Sequence, residues 1–173
     1  AVAGCFVHQR HAHTDRPRFA GWWGNDESVR FKMGPQFSPT PGADGWQLSN
    51  PPILGLAPLR ASLDQFDRAT LPALRLKSEQ LTGYLEQLIR VHLHDVLQIV
   101  TPSMPSQRGC QLSLRVIGGR AQGRALFDFL AAHGVLGDWR EPDVIRISPV
   151  PLYNTFADVL RFVRTVQEWR NGQ

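Results

Sequence analysis

The tightest constraint in this sequence is a hydrophobic period that keeps switching through its last third. Residues 111–117 (QLSLRVI) alternate apolar and polar side chains as a half-buried strand does, and residues 120–133 then carry apolar positions at helical spacing. Residues 143–148 (DVIRIS) alternate again. A last helical stretch, capped near Asn154, sets Phe156, Val159, Val163, Val166 and Trp169 on one stripe. Strand, helix, strand, helix predicts an α/β domain over 101–173, with Gly134 as the C-cap of its first helix.

The chain upstream has a different character. Across 53–100 the pattern is helical: Leu56, Leu59, Leu63 and Phe66 form one stripe expected to face a core. A second helix is expected from Thr70, with Pro72 in its first turn and Leu74, Leu81, Tyr84, Leu85, Leu88 and Ile89 on its apolar side. The segment TPSMPSQRG (101–109) reads as a loop or boundary. From 8 to 52, Pro17, Pro35, Pro39, Pro41, Pro51 and Pro52, together with recurrent glycines, interrupt every potential helix. A loop that long inside a compact domain is usually functional. Before it, the short apolar run at 3–7 would suit a buried strand. Three regions result: 1–52, a helical connection over 53–100, and the α/β part over 101–173.

Composition excludes several classes. Apolar residues make up 42% and charged residues 20%, which is neither disordered nor fibrous. The formal charge is +4, but the 19 Lys and Arg residues are scattered rather than blocked, so no nucleic-acid footprint is expected. No apolar run approaches the roughly 18 residues of a membrane span. Cys5 and Cys110 stand far apart without C-x-x-C spacing, which argues against a disulfide framework or a cysteine zinc site and fits a reducing cytoplasm.

Five places in the chain carry possible chemistry. His8, His11 and His13 are spaced as H-x-x-H-x-H, either two metal ligands or polar loop residues. VIGGRAQGRAL (116–126) follows a strand and opens a helix, where a phosphate loop would sit; but Gly118, Gly119 and Gly123 miss the G-x-G-x-x-G spacing, and a tight turn explains them equally. Arg146 lies in an alternating strand, and it either faces solvent or presents a guanidinium fork matched to a carboxylate. Asn50, before Pro51 and Pro52, either shapes a turn or holds its amide against an anionic ligand. Trp22 and Trp23, bounded by Gly21 and Gly24, either pack in a core or offer indole N–H donors and stacking faces to a flat ligand.

Taken together, GWWG (21–24), RFKMG (30–34), PGADGWQLSNPPIL (41–54) and IRISPVPLYNTF (145–156), with AGCFVHQRHAHT (3–14) ahead of them, resemble the kynureninases in order and spacing. The resemblance runs along almost the whole chain. It implies the aspartate aminotransferase fold, here the end of the large domain followed by the C-terminal α/β small domain. It also implies dependence on pyridoxal 5′-phosphate, a homodimer, and hydrolysis of kynurenine or 3-hydroxykynurenine to an anthranilate and alanine. Trp22 then matches a tryptophan whose indole contacts the cofactor phosphate, and Asn50 an asparagine at the cofactor near the substrate ring. Arg146 matches the arginine that holds the substrate α-carboxylate. Trp23 and Asn25 fall where the family lines the ring pocket, and they depart from its frequent Phe-Gly-His pattern.

The family's cofactor-binding lysine belongs to a segment upstream of the stretch matched by residue 1, and neither Lys32 nor Lys77 matches it. The chain is therefore expected to be the C-terminal part of such an enzyme and inactive alone. Two other classes remain at this point: a non-catalytic regulatory small domain, and an unrelated nucleotide-binding module built around Gly118 and Gly123.

Overall fold

The computed structural model describes residues 2–172. The chain divides into two compact units, Ala1–Gln65 and Phe66–Gln173.

In the first unit the prolines leave room only for short turns: 3-10 turns at Gln9–His11, Trp22–Gly24 and Gly42–Trp46, and one helical turn, α1 (Glu27–Arg30). Asp26 caps α1 by accepting a hydrogen bond from the Ser28 backbone N–H at 2.9 Å. The strand expected over 3–7 does not form. A lone strand leaves its N–H and C=O groups without a ladder, and the pairing found among the described residues of this unit is a single bridge between Asn25 and Pro39.

Helix α2 (Ile53–Ala69) begins where the Pro52 carbonyl accepts from the N–H groups of Gly55 and Leu56. Its expected inward stripe is a correction. None of its residues is buried, and Leu59 and Leu63 remain 42% and 49% exposed. The pattern is amphipathic, but its stripe is only partly covered, with Leu56 and Phe66 half-buried and Leu59 and Leu63 open.

Helix α3 (Leu71–His92) starts after Thr70, with Pro72 in its first turn as expected, and buries Leu74, Leu81, Leu85 and Ile89. A four-stranded antiparallel sheet follows, in the order β1–β2–β4–β3: β1 (Leu97–Ile99), β2 (Leu112–Val116), β3 (Asp138–Arg140) and β4 (Val144–Ile147). Helix α4 (Gly119–Ala132) connects β2 to β3, and α5 (Phe156–Asn171) closes the unit.

The core lies between one face of the sheet and the three helices. Leu112, Leu114, Val116, Ile145 and Ile147 meet Leu85, Ile89, Leu126, Leu130, Phe162 and Val166 there. Because successive strand side chains point to opposite faces, Ser113, Arg115 and Arg146 stand on the other face. The cap of α5, expected near Asn154, is the next residue, Thr155. Thr155 and Asp158 form a reciprocal capping box, while the Asn154 side chain accepts from the Val150 N–H. Among the described residues no helix is long and apolar enough to cross a membrane.

Candidate functional site

The tryptophan turn is held by a residue the motif reading leaves without a role. Arg30, at the end of α1, reaches back over both rings, its guanidinium carbon 5.5 Å from the Trp22 centroid and 4.9 Å from that of Trp23. The same guanidinium donates to the Trp23 carbonyl at 3.0 Å and to the Asn25 carbonyl at 2.9 and 3.1 Å. Cation–π contact and a planar fork of donors thus act on one loop together. The two tryptophan centroids are 5.5 Å apart, and Phe31 meets Trp22 edge-on at 5.4 Å. Trp22 nevertheless stays 42% exposed, so a large apolar ring with an N–H donor is presented at the surface.

Asn25 is oriented too. Its side-chain oxygen accepts from the Ser38 N–H at 2.8 Å, which directs the –NH₂ end away from that bond. The –NH₂ end is thereby turned to offer its N–H donors to a further partner. Gly21 is a close approach: a Cβ there would lie 2.2 Å from the Leu48 Cα, so the turn is pressed against the backbone leading to Asn50. Asn50 itself is exposed and lines a groove with Cys5, Asp44, Gln47, Ser49 and Pro51.

The histidines do not converge. His8 accepts from the Arg10 N–H, His11 accepts from Arg10 Nε, and among the described residues no group of three or more His, Cys, Asp or Glu could hold a metal. The glycines after β2 have steric reasons. Gly118 and Gly119 carry φ of +102° and +78° to turn the chain into α4, and a Cβ on Gly123 would lie 3.0 Å from the Trp139 ring.

In the second unit Arg146 sits on β4 directly opposite Asp138 of β3 and Ser113 of β2. Its Nε donates to Asp138 Oδ2 at 2.5 Å, and its Nη2 donates to the same oxygen. Arg140 Nε donates to that oxygen as well, at 3.0 Å. The Arg146 hydrogen bonds, and then the charge of Arg140, hold the Asp138 carboxyl below the usual aspartate range. The side chain of Arg146 is 31% exposed, enough to meet a ligand from solvent.

The structure therefore groups Trp22, Trp23 and Asn25 in one turn, sets Asn50 in a groove of the same unit, and carries Arg146 on the sheet of the other. Arg30 and Asp138 are the two contributors that motif reading passes over. Arg30 stands inside the RFKMG motif without a residue-type signature of its own. Asp138 lies in a three-residue strand too short to show alternation.

Residues 74–166 match the family model described as the kynureninase C-terminal domain. Over 169 residues, 98% of the chain, the sequence is 69% identical to kynureninases of Xanthomonas campestris pv. campestris and Xanthomonas oryzae pv. oryzae, and it covers 40% of each. The chain thus spans about two-fifths of the length of the curated relatives it matches. Among solved structures, the apo cysteine desulfurase of Thermococcus onnurineus NA1 matches with a TM-score of 0.75 at 16% identity, over 96% of this chain and 42% of that one. A C-DES mutant with glycine covalently linked to its PLP cofactor matches with a TM-score of 0.68 at 18% identity, over 91% and 39%. These likenesses show the fold, an α/β C-terminal region of the PLP-dependent transferase type.

Proposed function

The chain belongs to the kynureninase family, and from that premise we propose that it forms the C-terminal part of a pyridoxal phosphate-dependent hydrolase acting on the C–C bond of L-kynurenine or 3-hydroxykynurenine. The products are anthranilate or 3-hydroxyanthranilate and L-alanine, a step of tryptophan degradation. The observation that carries the reading is the family match over 74–166, a stretch that contains Arg146, whose guanidinium suits the α-carboxylate common to both substrates. The intact enzyme is taken to be a cytoplasmic homodimer.

The residues present suit the cofactor in kind. Trp22 offers an exposed indole donor to a phosphate, and Asn50 an exposed amide in a groove. When bound, pyridoxal phosphate supplies an electron sink for charge that develops at the substrate α-carbon. The rest is positioning by this chain. Arg146 holds the carboxylate by paired N–H donors and so fixes how the scissile bond is presented. Trp23 and the Asn25 amide bound the aromatic ring. The Asn25 amide offers N–H donors to an acceptor on the ring, and unlike an imidazole it does not titrate near neutral pH.

Replacing Arg146 by Ala in the intact enzyme tests the reading. The expected result is a raised KM and a kcat/KM lower by about two orders of magnitude, the size of a lost charge-assisted bidentate contact. Kinetics indistinguishable from wild type would refute the assignment of Arg146.

A further inference from the structure

We propose that Asp138 is the positioning residue of the carboxylate site, clamping one edge of the Arg146 guanidinium so that the opposite edge is held ready for the substrate. The inference rests on Arg146 as the carboxylate anchor and adds the part of the site that orients it.

A guanidinium has five N–H donors in one plane and two edges able to meet a carboxylate. Asp138 takes the edge made by Nε and one N–H of Nη2, both directed at a single oxygen, Oδ2. Among the described residues the edge formed by Nη1 and the second N–H of Nη2 has no hydrogen-bond partner, and that is the edge that receives an incoming carboxylate end-on.

Three features make this a clamp rather than an incidental surface pair. Asp138 and Arg146 are direct cross-strand partners on the same face of the β3–β4 ladder, so the backbone sets their separation. Asp138 is itself fixed, because Arg140 of its own strand donates to the same oxygen. Strand β3 is also anchored from the opposite face, where Trp139 packs on the hydrophobic core, against Phe127 and over Gly123. A long arginine side chain loses considerable rotamer entropy when it binds. Held beforehand by Asp138, it gives up less of that freedom at the moment the substrate arrives.

The alternative role for such an aspartate is as a competitor that occupies Arg146 until the substrate displaces it. The two roles predict opposite signs. A clamp makes carboxylate binding weaker when removed, whereas a competitor makes it tighter.

The test uses the intact holoenzyme and compares L-alanine with ethylamine, which is alanine without its carboxylate, each titrated through the visible absorbance change of the bound cofactor. Asp138→Ala is expected to weaken alanine roughly tenfold or more, the size of a disturbed charge-assisted contact, and to leave ethylamine within about twofold. KM for kynurenine is expected to rise more than kcat falls. Asp138→Asn, which keeps one acceptor, is expected to fall between wild type and Asp138→Ala. Unchanged or tighter alanine binding would overturn the clamp, and so would equal weakening of both amines, which marks general damage to the site. Arg146→Ala in the same titration keeps the two readings apart. If it leaves alanine affinity intact, the anchor itself is wrong; if it abolishes selective alanine binding while Asp138→Ala does not, only the clamp is wrong.

Discussion

At the scale of single residues, the tryptophan turn depends on a side chain that a list of its aromatic rings would omit. Arg30 meets two carbonyls and two indole faces at once, and only a planar fork of five donors can do both. Arg30→Lys is therefore expected to behave nearly like Arg30→Ala in the intact enzyme, since an ammonium cannot span both carbonyls. Both variants should lose bound pyridoxal phosphate on dialysis faster than wild type, measured by cofactor absorbance. Full retention by Arg30→Lys would show that charge alone suffices. Trp22→Phe isolates the indole N–H, because ring packing on Phe31 is kept. It is expected to weaken cofactor affinity about tenfold, the worth of one hydrogen bond to a charged acceptor. The sequence shows only that glycines bound this pair. In the structure Gly21 is a contact point, where the absence of a Cβ lets two backbones touch, and that purpose is invisible until the facing segment is known.

At the scale of elements, the long periodic segments were legible and the short ones were not. Helices α3, α4 and α5 and strands β2 and β4 each show their period over enough residues to fix both type and buried face. Strands β1 and β3 have three residues each, and they exist because β2 and β4 offer them partners, information that lies elsewhere in the chain. The loop over 101–109 likewise looks unstructured in sequence but is tied down by charge. Arg108, only 3% exposed at its side chain, donates to Glu86 of α3 at 2.5 Å, and Arg90 donates to the same carboxylate. Arg75 donates to the carbonyls of Pro105 and Arg108.

Burial would by itself raise the Glu86 pKa, but hydrogen bonds from Arg108, Arg90 and Ser103 outweigh it and hold the carboxyl below the ordinary glutamate range. A folded-state value below the unfolded one means that this stability is present above the ordinary value near ~4.3 and is lost as pH falls through the folded value. Glu86→Gln strands a buried guanidinium and is expected to cost about 3 kcal/mol at neutral pH in denaturant unfolding. The gap between wild type and variant should narrow as pH drops below ~4, and a gap independent of pH would mean the carboxylate charge is not what holds the loop.

At the scale of the whole molecule, each compact unit carries its own candidate residues: the tryptophan turn and Asn50 lie in the first, and Arg146 with Asp138 in the second. The sequence divides instead by character at 52/53 and 100/101, because helix α2 (Ile53–Ala69) continues across the boundary between the units and hides it. The clamp was not readable, since it depends on a strand register. Such a division also limits what these residues do by themselves. On the proposed reading they bind and orient, and the chemistry calls for a lysine joined to the cofactor; the lysines here are Lys32, in the first unit, and Lys77, on α3. Neither matches the family's position for that lysine. The 173-residue chain, mixed with pyridoxal phosphate and kynurenine, is accordingly expected to release anthranilate no faster than free cofactor does, as read by anthranilate fluorescence. The same assay on the enzyme carrying its upstream portion should show turnover that Arg146→Ala suppresses. Turnover by the 173 residues alone would mean that Lys32 or Lys77 does serve the cofactor, and Lys32→Met and Lys77→Met would then show which.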